Sequence, residues 1–280
     1  MCATCGCSDT DKIMVTTETG DQKMVPHEEA HAHGYSHSHE EDRFHEHNQN
    51  QSERLGSAAA AVTAKTHHTI IELEAEILNK NQLIAERNRA WLEAKGILAL
   101  NLVSSPGSGK TTLLERTIND LKDEFEIGVV EGDQETLNDA ERIRATGCKA
   151  IQINTGTGCH LEADMLARGL ESLAPSENSL LFIENVGNLV CPAMFDLGER
   201  AKVAVLSVTE GEDKPLKYPH MFRASDVMLL NKIDLLPYLN FDVERSIEYA
   251  KEVNPNIEIL KVSATGGEGL EKWYSYLRSL

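Results

Sequence analysis

The 280-residue chain has no stretch approaching the roughly 18 consecutive apolar residues of a membrane helix, so no membrane span is expected. Basic residues are scarce: 27 Lys and Arg stand against 45 Asp and Glu, a formal net charge of −18. Nucleic acid and anionic membranes reward clustered Lys and Arg, so neither is expected as a non-specific partner. The carboxylate surplus fits the gathering of cations as well as it fits simple solubility. The N-terminus, Met1-Cys-Ala-Thr-Cys-Gly-Cys7, lacks the basic and apolar regions of a secretory leader. A cytoplasmic chain is therefore expected. Six cysteines in a reducing compartment read as metal ligands or buried thiols rather than disulfides.

Large apolar side chains are also sparse before residue 70, where acidic residues outnumber basic ones. Such a segment cannot bury enough apolar surface to offset its ordering entropy. Residues 1–69 are thus expected to be a disordered arm. Two metal-binding features lie on it. Cys2, Cys5 and Cys7 place three thiolates within six residues, with Gly6 allowing the chain to fold back. Thiolates select soft or borderline metals, and three sulfurs with the α-amine suit square-planar Ni²⁺, although Zn²⁺ would also bind. His27, His31, His33, His37, His39, His45 and His47 form a second cluster, suited to modest divalent-metal binding or to no more than a solvated linker.

After the arm, Ile70, Leu73, Ile77, Ile84, Trp91 and Leu92 recur at roughly helical spacing, which predicts an amphipathic helix over 70–95 packed on the domain that follows. From residue 96 the pattern changes. Short apolar runs at 97–103, 127–130, 150–153, 179–183, 203–208, 227–230 and 257–262 alternate with helical patterns near 110–122, 134–147, 160–173, 241–253 and 268–279. Alternating strands and helices predict an α/β fold, a mainly parallel sheet covered by helices on both faces. Ligands in such sheets bind beyond the C-terminal strand ends.

Ser104-Ser-Pro-Gly-Ser-Gly-Lys-Thr111 follows an expected strand and opens an expected helix, the context of a P-loop NTPase. Backbone N–H groups from Gly107 through Thr112, Ser108 among them, would cradle phosphate oxygens, with Gly107 and Gly109 allowing close backbone approach. Lys110 is expected to reach the β- and γ-phosphates, and Thr111 to ligate Mg²⁺. Ser104 stands where a glycine is usual. Asn231-Lys-Ile-Asp234 ends another strand, and the Asp234 carboxylate can accept both guanine N1–H and N2–H, a donor pair that adenine lacks. Asn231 would tie this loop to the phosphate loop, the Lys232 stem would cover the purine, and Ser263-Ala264 would add a backbone contact. GTP is the nucleotide these residues select. Asp133 and Glu184 are placed to act on Mg²⁺ or the attacking water, and Gly187 N–H to sense the γ-phosphate; turn or helix-capping carboxylates are the plainer alternative. Cys159-His160 and Cys191 follow neighbouring expected strands and make an incomplete metal set, although buried free cysteine is common.

Taken together, Cys2-Ala-Thr-Cys5-Gly-Cys7, the 104–112 loop, Glu131-Gly-Asp-Gln134, Gly158-Cys-His160, Glu184-Asn-Val-Gly-Asn-Leu-Val-Cys-Pro192 and Asn231-Lys-Ile-Asp234 closely resemble the HypB family, the nickel-insertion GTPases of nickel–iron hydrogenase maturation. The resemblance spans nearly the whole chain. It implies GTP hydrolysis, nickel carried to the hydrogenase large-subunit precursor, a zinc-containing HypA-type partner and a GTP-dependent homodimer. It also implies tight nickel at Cys2, Cys5 and Cys7, and weaker nickel or zinc at Cys159, His160 and Cys191. Two alternatives stand beside it. A urease-type metallochaperone GTPase would carry Cys-Pro-His, where this chain has Gly-Cys-His and Val-Cys-Pro. A metal-storage protein would keep the nucleotide loop without turnover.

Overall fold

The computed structural model describes residues 12–16, 22–26, 73, 75–133, 138–156 and 158–280. The chain divides into two units, 1–74 and 75–280. In the first, β1 (Lys12–Thr16) and β2 (Gln22–Pro26) pair antiparallel, with Ile13 opposite Val25. A disordered arm does not anticipate this ladder. Each strand is five residues long, too short for its periodicity to stand out in a polar context. Cys2, Cys5, Cys7 and the histidine cluster lie outside the described residues.

The second unit opens with helix α1, residues 75–94. Its buried stripe is Asn81, Ala85, Asn88 and Leu92, spaced four, three and four residues apart. Trp91, counted from sequence in the apolar stripe, is 38% exposed. Two buried amides hold the helix instead: Asn81 Nδ2 donates to Asp196 O at 2.7 Å, and Asn88 Nδ2 to Ala163 O and Leu197 O at 2.8 and 3.0 Å. Polar residues made this face hard to read from hydrophobicity.

Seven parallel strands follow: β3 (Leu98–Ser104), β4 (Ile127–Asp133), β5 (Lys149–Asn154), β6 (Leu180–Glu184), β7 (Ala201–Ser207), β8 (Val227–Asn231) and β9 (Glu258–Lys261). Their order is β5-β4-β6-β3-β7-β8-β9, with β3 in the centre. Each expected apolar run is one of these strands. Every residue of β6, β7 and β8 is buried, as a sheet covered on both sides requires.

Alternation along β3 separates the two faces. Leu100 and Leu102 pack with Leu114 and Ile118 of α2 (Lys110–Leu121) and Trp273 of the last helix (Leu270–Ser279). On the opposite face, Ala99 packs with Leu92 of α1 and Leu166 and Leu170 of the helix Ala163–Leu173. Val103 meets Met221, Phe222 and Ala250. The helices Asn138–Ala145 and Val243–Val253 match sequence patterns. Cys191–Met194, Lys214–Lys217, Pro219–Arg223 and the 3₁₀ turn Ile233–Tyr238 were not expected, since four to six residues carry no measurable helical period.

Candidate functional site

The loop after β3 wraps a helix N-terminus. Gly107 and Gly109 have φ of +76° and +92°, left-handed conformations that favour glycine. A Cβ on Gly109 would also lie 2.6 Å from Asn231 Nδ2. No side chain caps the start of α2 and no acidic residue occupies its first turn, so its N–H groups and dipole face the cavity. That cavity, about 540 Å³, is lined by this loop together with Asp133, Arg142, Glu184, Gly187 and Lys232. Gly187 packs on Pro106, where a Cβ would stand 3.2 Å from its ring and backbone. Lys110 is folded onto the end of β6: its Nζ donates to Asn185 O at 2.6 Å and lies 3.8 Å from Glu184 Oε1.

Thr111 Oγ1 donates to Glu184 Oε1 at 2.7 Å, while Glu184 Oε2 is buried without a partner among the described residues. A hydroxyl, a carboxylate oxygen with no donor and nearby Asp133 form a hard oxygen set that fits Mg²⁺. Glu131, which sequence reasoning passed over, stands opposite Glu184 in the β4–β6 register, and its own buried Oε2 has no partner among the described residues. Burial, with Glu184 as the next cause, raises its pKa from an ordinary 4.5 to about 8. Burial likewise pushes the Glu184 carboxyl upward.

The sign of the consequence follows from proton counting. Between pH 4.5 and about 8 the folded state keeps a proton on Glu131 that the unfolded chain has released, so stability falls as pH rises through that window. Glu131→Gln is therefore expected to flatten most of the decline in the nucleotide- and Mg²⁺-free protein. At pH 8 it should gain on the order of a few kcal/mol. Urea unfolding midpoints at pH 5, 6.5 and 8 read this directly. Parallel slopes in the two proteins would contradict it.

On the base side, Asn231 joins three segments. Its Nδ2 donates to Ser108 O at 3.0 Å, and its Oδ1 accepts from Ala264 N at 3.1 Å. Lys232, at φ +62°, donates from Nζ to Gly107 O at 2.7 Å. Asp234 is exposed, and its Oδ1 accepts from Ser263 Oγ at 2.6 Å. Ser263 is held in turn by Gly266 N at 2.8 Å. A carboxylate oriented by a hydroxyl, with the second oxygen toward solvent, can accept from a planar pair of N–H donors.

The loops after β5 and β6 bring Cys159, His160 and Cys191 together, with their ligand atoms all within 4.8 Å of one another. Cys159 Sγ lies 2.9 Å from Cys191 Sγ and 3.6 Å from His160 Nδ1. All three residues are buried, and His160 lies against the Phe195 ring at 4.0 Å between centroids. Desolvation lowers the His160 pKa to about 4, so the imidazole is neutral, the ligating form, at ordinary pH. His160 Nε2 is buried without a hydrogen bond to any described residue. Two sulfurs and one nitrogen fit Zn²⁺ or Ni²⁺ and leave a position open. Cys148 takes no part: its thiol donates to Ile127 O at 3.1 Å and burial raises its pKa to about 11.

The structure thus gathers Gly107–Thr112, Asp133, Glu184, Gly187 and Lys232 around one cavity, and Cys159, His160 and Cys191 into one cluster. Asn231, Asp234, Ser263 and Ala264 form the adjoining base-side wall. Sequence reasoning missed Arg142 as well as Glu131. Its guanidinium lines the cavity, donates to Thr112 Oγ1 at 3.2 Å and pairs with Glu115 and Asp139. Its position on a helix beside the cavity carried no motif.

Residues 98–261 match the family model for the nucleotide-binding domain of CobW/HypB/UreG. The chain is 61% identical over 224 residues to the hydrogenase maturation factor HypB of Escherichia coli K12, covering 80% of this chain and 77% of that one. It is 39% identical over 208 residues to a probable hydrogenase maturation factor HypB of Methanocaldococcus jannaschii, covering 74% and 94%. Among solved structures, HypB from Helicobacter pylori in complex with nickel superposes with a TM-score of 0.67 at 41% identity, covering 71% of this chain and 94% of that one. HypB from Archaeoglobus fulgidus gives 0.67 at 42%, covering 72% and 98%.

Proposed function

Because the chain belongs to the HypB hydrogenase maturation factors of the CobW/HypB/UreG family, we propose that it hydrolyses GTP to GDP and phosphate and uses that cycle to carry nickel to a hydrogenase large-subunit precursor. The observation that supports this most is the sharing of one segment. Glu184, the last residue of β6, and Asn185, which holds Lys110, are joined by one short stretch to Cys191 in the metal cluster. A zinc-containing HypA-type protein as partner, a GTP-dependent homodimer and a cytoplasmic setting belong to the same reading. Among the described residues no helix is long and apolar enough to cross a membrane.

In this mechanism the α2 N-terminus and Lys110 take the charge on the β- and γ-phosphates. Thr111 and Glu184, with Asp133, would hold Mg²⁺. The chemistry supplied at that oxygen set would be neutralisation of the charge developing on the GDP leaving group. Asp133 and Glu184 both line the cavity and would be the carboxylates available to orient the attacking water. Gly187, seated on Pro106, would donate its N–H to the γ-phosphate and lose that contact on hydrolysis. Cys159, His160 and Cys191 would hold nickel as cargo, with Cys2, Cys5 and Cys7 as a second station.

Nickel titration of the full chain tests this reading. Two classes of cysteine-dependent nickel site are expected, beside any nickel held by the histidine cluster. One disappears with Cys2, Cys5 and Cys7 replaced by Ser, and the other with Cys159→Ser and Cys191→Ser. GTP turnover should survive the first set of replacements. Absence of turnover with or without metal would leave a storage protein instead.

A further inference from the structure

We propose that Asn185 is the positioning residue through which the phosphate loop and the Cys159–His160–Cys191 cluster sense each other. The inference rests on the GTP-coupled nickel reading above and assigns that coupling to one side chain. Asn185 is 1% exposed at the end of β6, and each of its polar groups is committed. Its backbone O accepts from Lys110 Nζ at 2.6 Å, and its backbone N donates to Leu102 O at 3.0 Å. Oδ1 accepts from Leu161 N at 3.1 Å and Val186 N at 3.0 Å. Nδ2 donates to Asn101 Oδ1 at 3.3 Å.

Two arms run from this residue to the metal cluster. The short arm is the Leu161 N–H bond, one residue past His160. The long arm is a buried polar chain. Asn101 Nδ2 donates to Glu199 Oε1 at 3.0 Å, and Lys202 Nζ lies 3.6 Å from the same oxygen. Lys202 Nζ then donates to Pro192 O at 2.8 Å and Phe195 O at 3.2 Å. Pro192 follows Cys191, and Phe195 is the ring against His160.

The input to both arms is Lys110. Its ammonium rests on Asn185 O, and a lysine that extends to the β- and γ-phosphates must leave that carbonyl. Releasing it frees the Asn185 peptide to move with the Gly187 segment. The carboxamide is held by three hydrogen bonds in a dry environment, where such bonds are strong and their loss is costly. Motion of residue 185 is therefore passed to Leu161 and to Asn101 instead of dissipating in rotamer changes. By linkage, a metal that draws the Cys159 and Cys191 loops together acts back on Lys110.

The test compares nickel affinity in GDP–Mg²⁺ with that in a non-hydrolysable GTP analogue–Mg²⁺. The full chain carries Cys2, Cys5 and Cys7 replaced by Ser, and the same chain with Cys159→Ser and Cys191→Ser added is titrated beside it, so that nickel held by the histidine cluster is subtracted and the internal cluster is read. In that background the two affinities are expected to differ by about 5-fold or more, the usual lower range of such coupling. Asn185→Ala should bring the ratio to within about twofold of unity. Asn185→Asp, which keeps the acceptor for Leu161 N–H but cannot donate to Asn101 Oδ1, should restore part of it, through the short arm alone. A merely structural role would lower affinity in both states and leave the ratio intact. Asn101→Ala gives a second reading should Asn185→Ala fail to bind GDP: the ratio is expected to shrink there too. If the background chain discriminates between nucleotides and both alanine variants keep the full ratio, the assignment to Asn185 is overturned and the coupled-site reading stands. If the background chain shows equal affinities, both fall.

Discussion

Asp234→Asn is expected to exchange the nucleotide preference of this chain from GTP to XTP. In the structure the Asp234 carboxylate is exposed, oriented by Ser263 Oγ, and built onto a loop that Asn231 anchors to Ser108 and Ala264. A carboxylate accepts from guanine N1–H and N2–H together. A carboxamide at the same place accepts from one and presents its own N–H to the other, so two charge-assisted hydrogen bonds are replaced by one neutral bond and a donor clash. At about 1.5–3 kcal/mol for each bond to a charged group, GTP affinity should fall on the order of 10²–10⁴-fold. Xanthine carries a carbonyl in place of the 2-amino group and matches the carboxamide. Competition binding with GTP, XTP and ATP checks this. Undiminished GTP affinity in the variant would place the base elsewhere.

Lys110→Ala is expected to reduce GTP turnover by about 10²–10³-fold, the scale of losing one preorganised donor to developing charge. The effect should fall mainly on the rate. The α2 N-terminus and the loop N–H groups still bind phosphate, but neither replaces a full positive charge at the transferred group. The folded protein should tolerate the change, because among the described residues Lys110 is tied only to Asn185 O and, at 3.8 Å, to Glu184. Single-turnover hydrolysis beside equilibrium GDP binding separates the two. Wild-type turnover in Lys110→Ala would remove the phosphate loop from the chemistry.

Much of this arrangement was legible in the residues themselves. The parallel sheet announced itself because strands buried on both faces are continuous apolar runs, as in Val227–Asn231. The phosphate loop announced itself because close backbone approach demands glycine at 107 and 109. Polar residues inside those elements were not legible. Glu131 directly follows the apolar run 127–130, and only the β4–β6 register reveals that it stands opposite Glu184. Asn101 and Lys202 are equally invisible within β3 and β7 until Glu199 is found between them. Helix α1 was misjudged at Trp91 for the related reason that its docking face uses Asn81 and Asn88. The metal cluster is intermediate. Cys159 and His160 are adjacent in sequence, but Cys191 joins them only through the parallel course of β5 and β6 around β4.

The central claim is that nucleotide state and metal are read by one connected site, and nickel affinity at Cys159, His160 and Cys191 measures it most directly. Titrating nickel into the full chain with Cys2, Cys5 and Cys7 replaced, once in GDP and once in a non-hydrolysable GTP analogue, should give affinities about 5-fold or more apart. Identical affinities in the two nucleotide states would contradict the account.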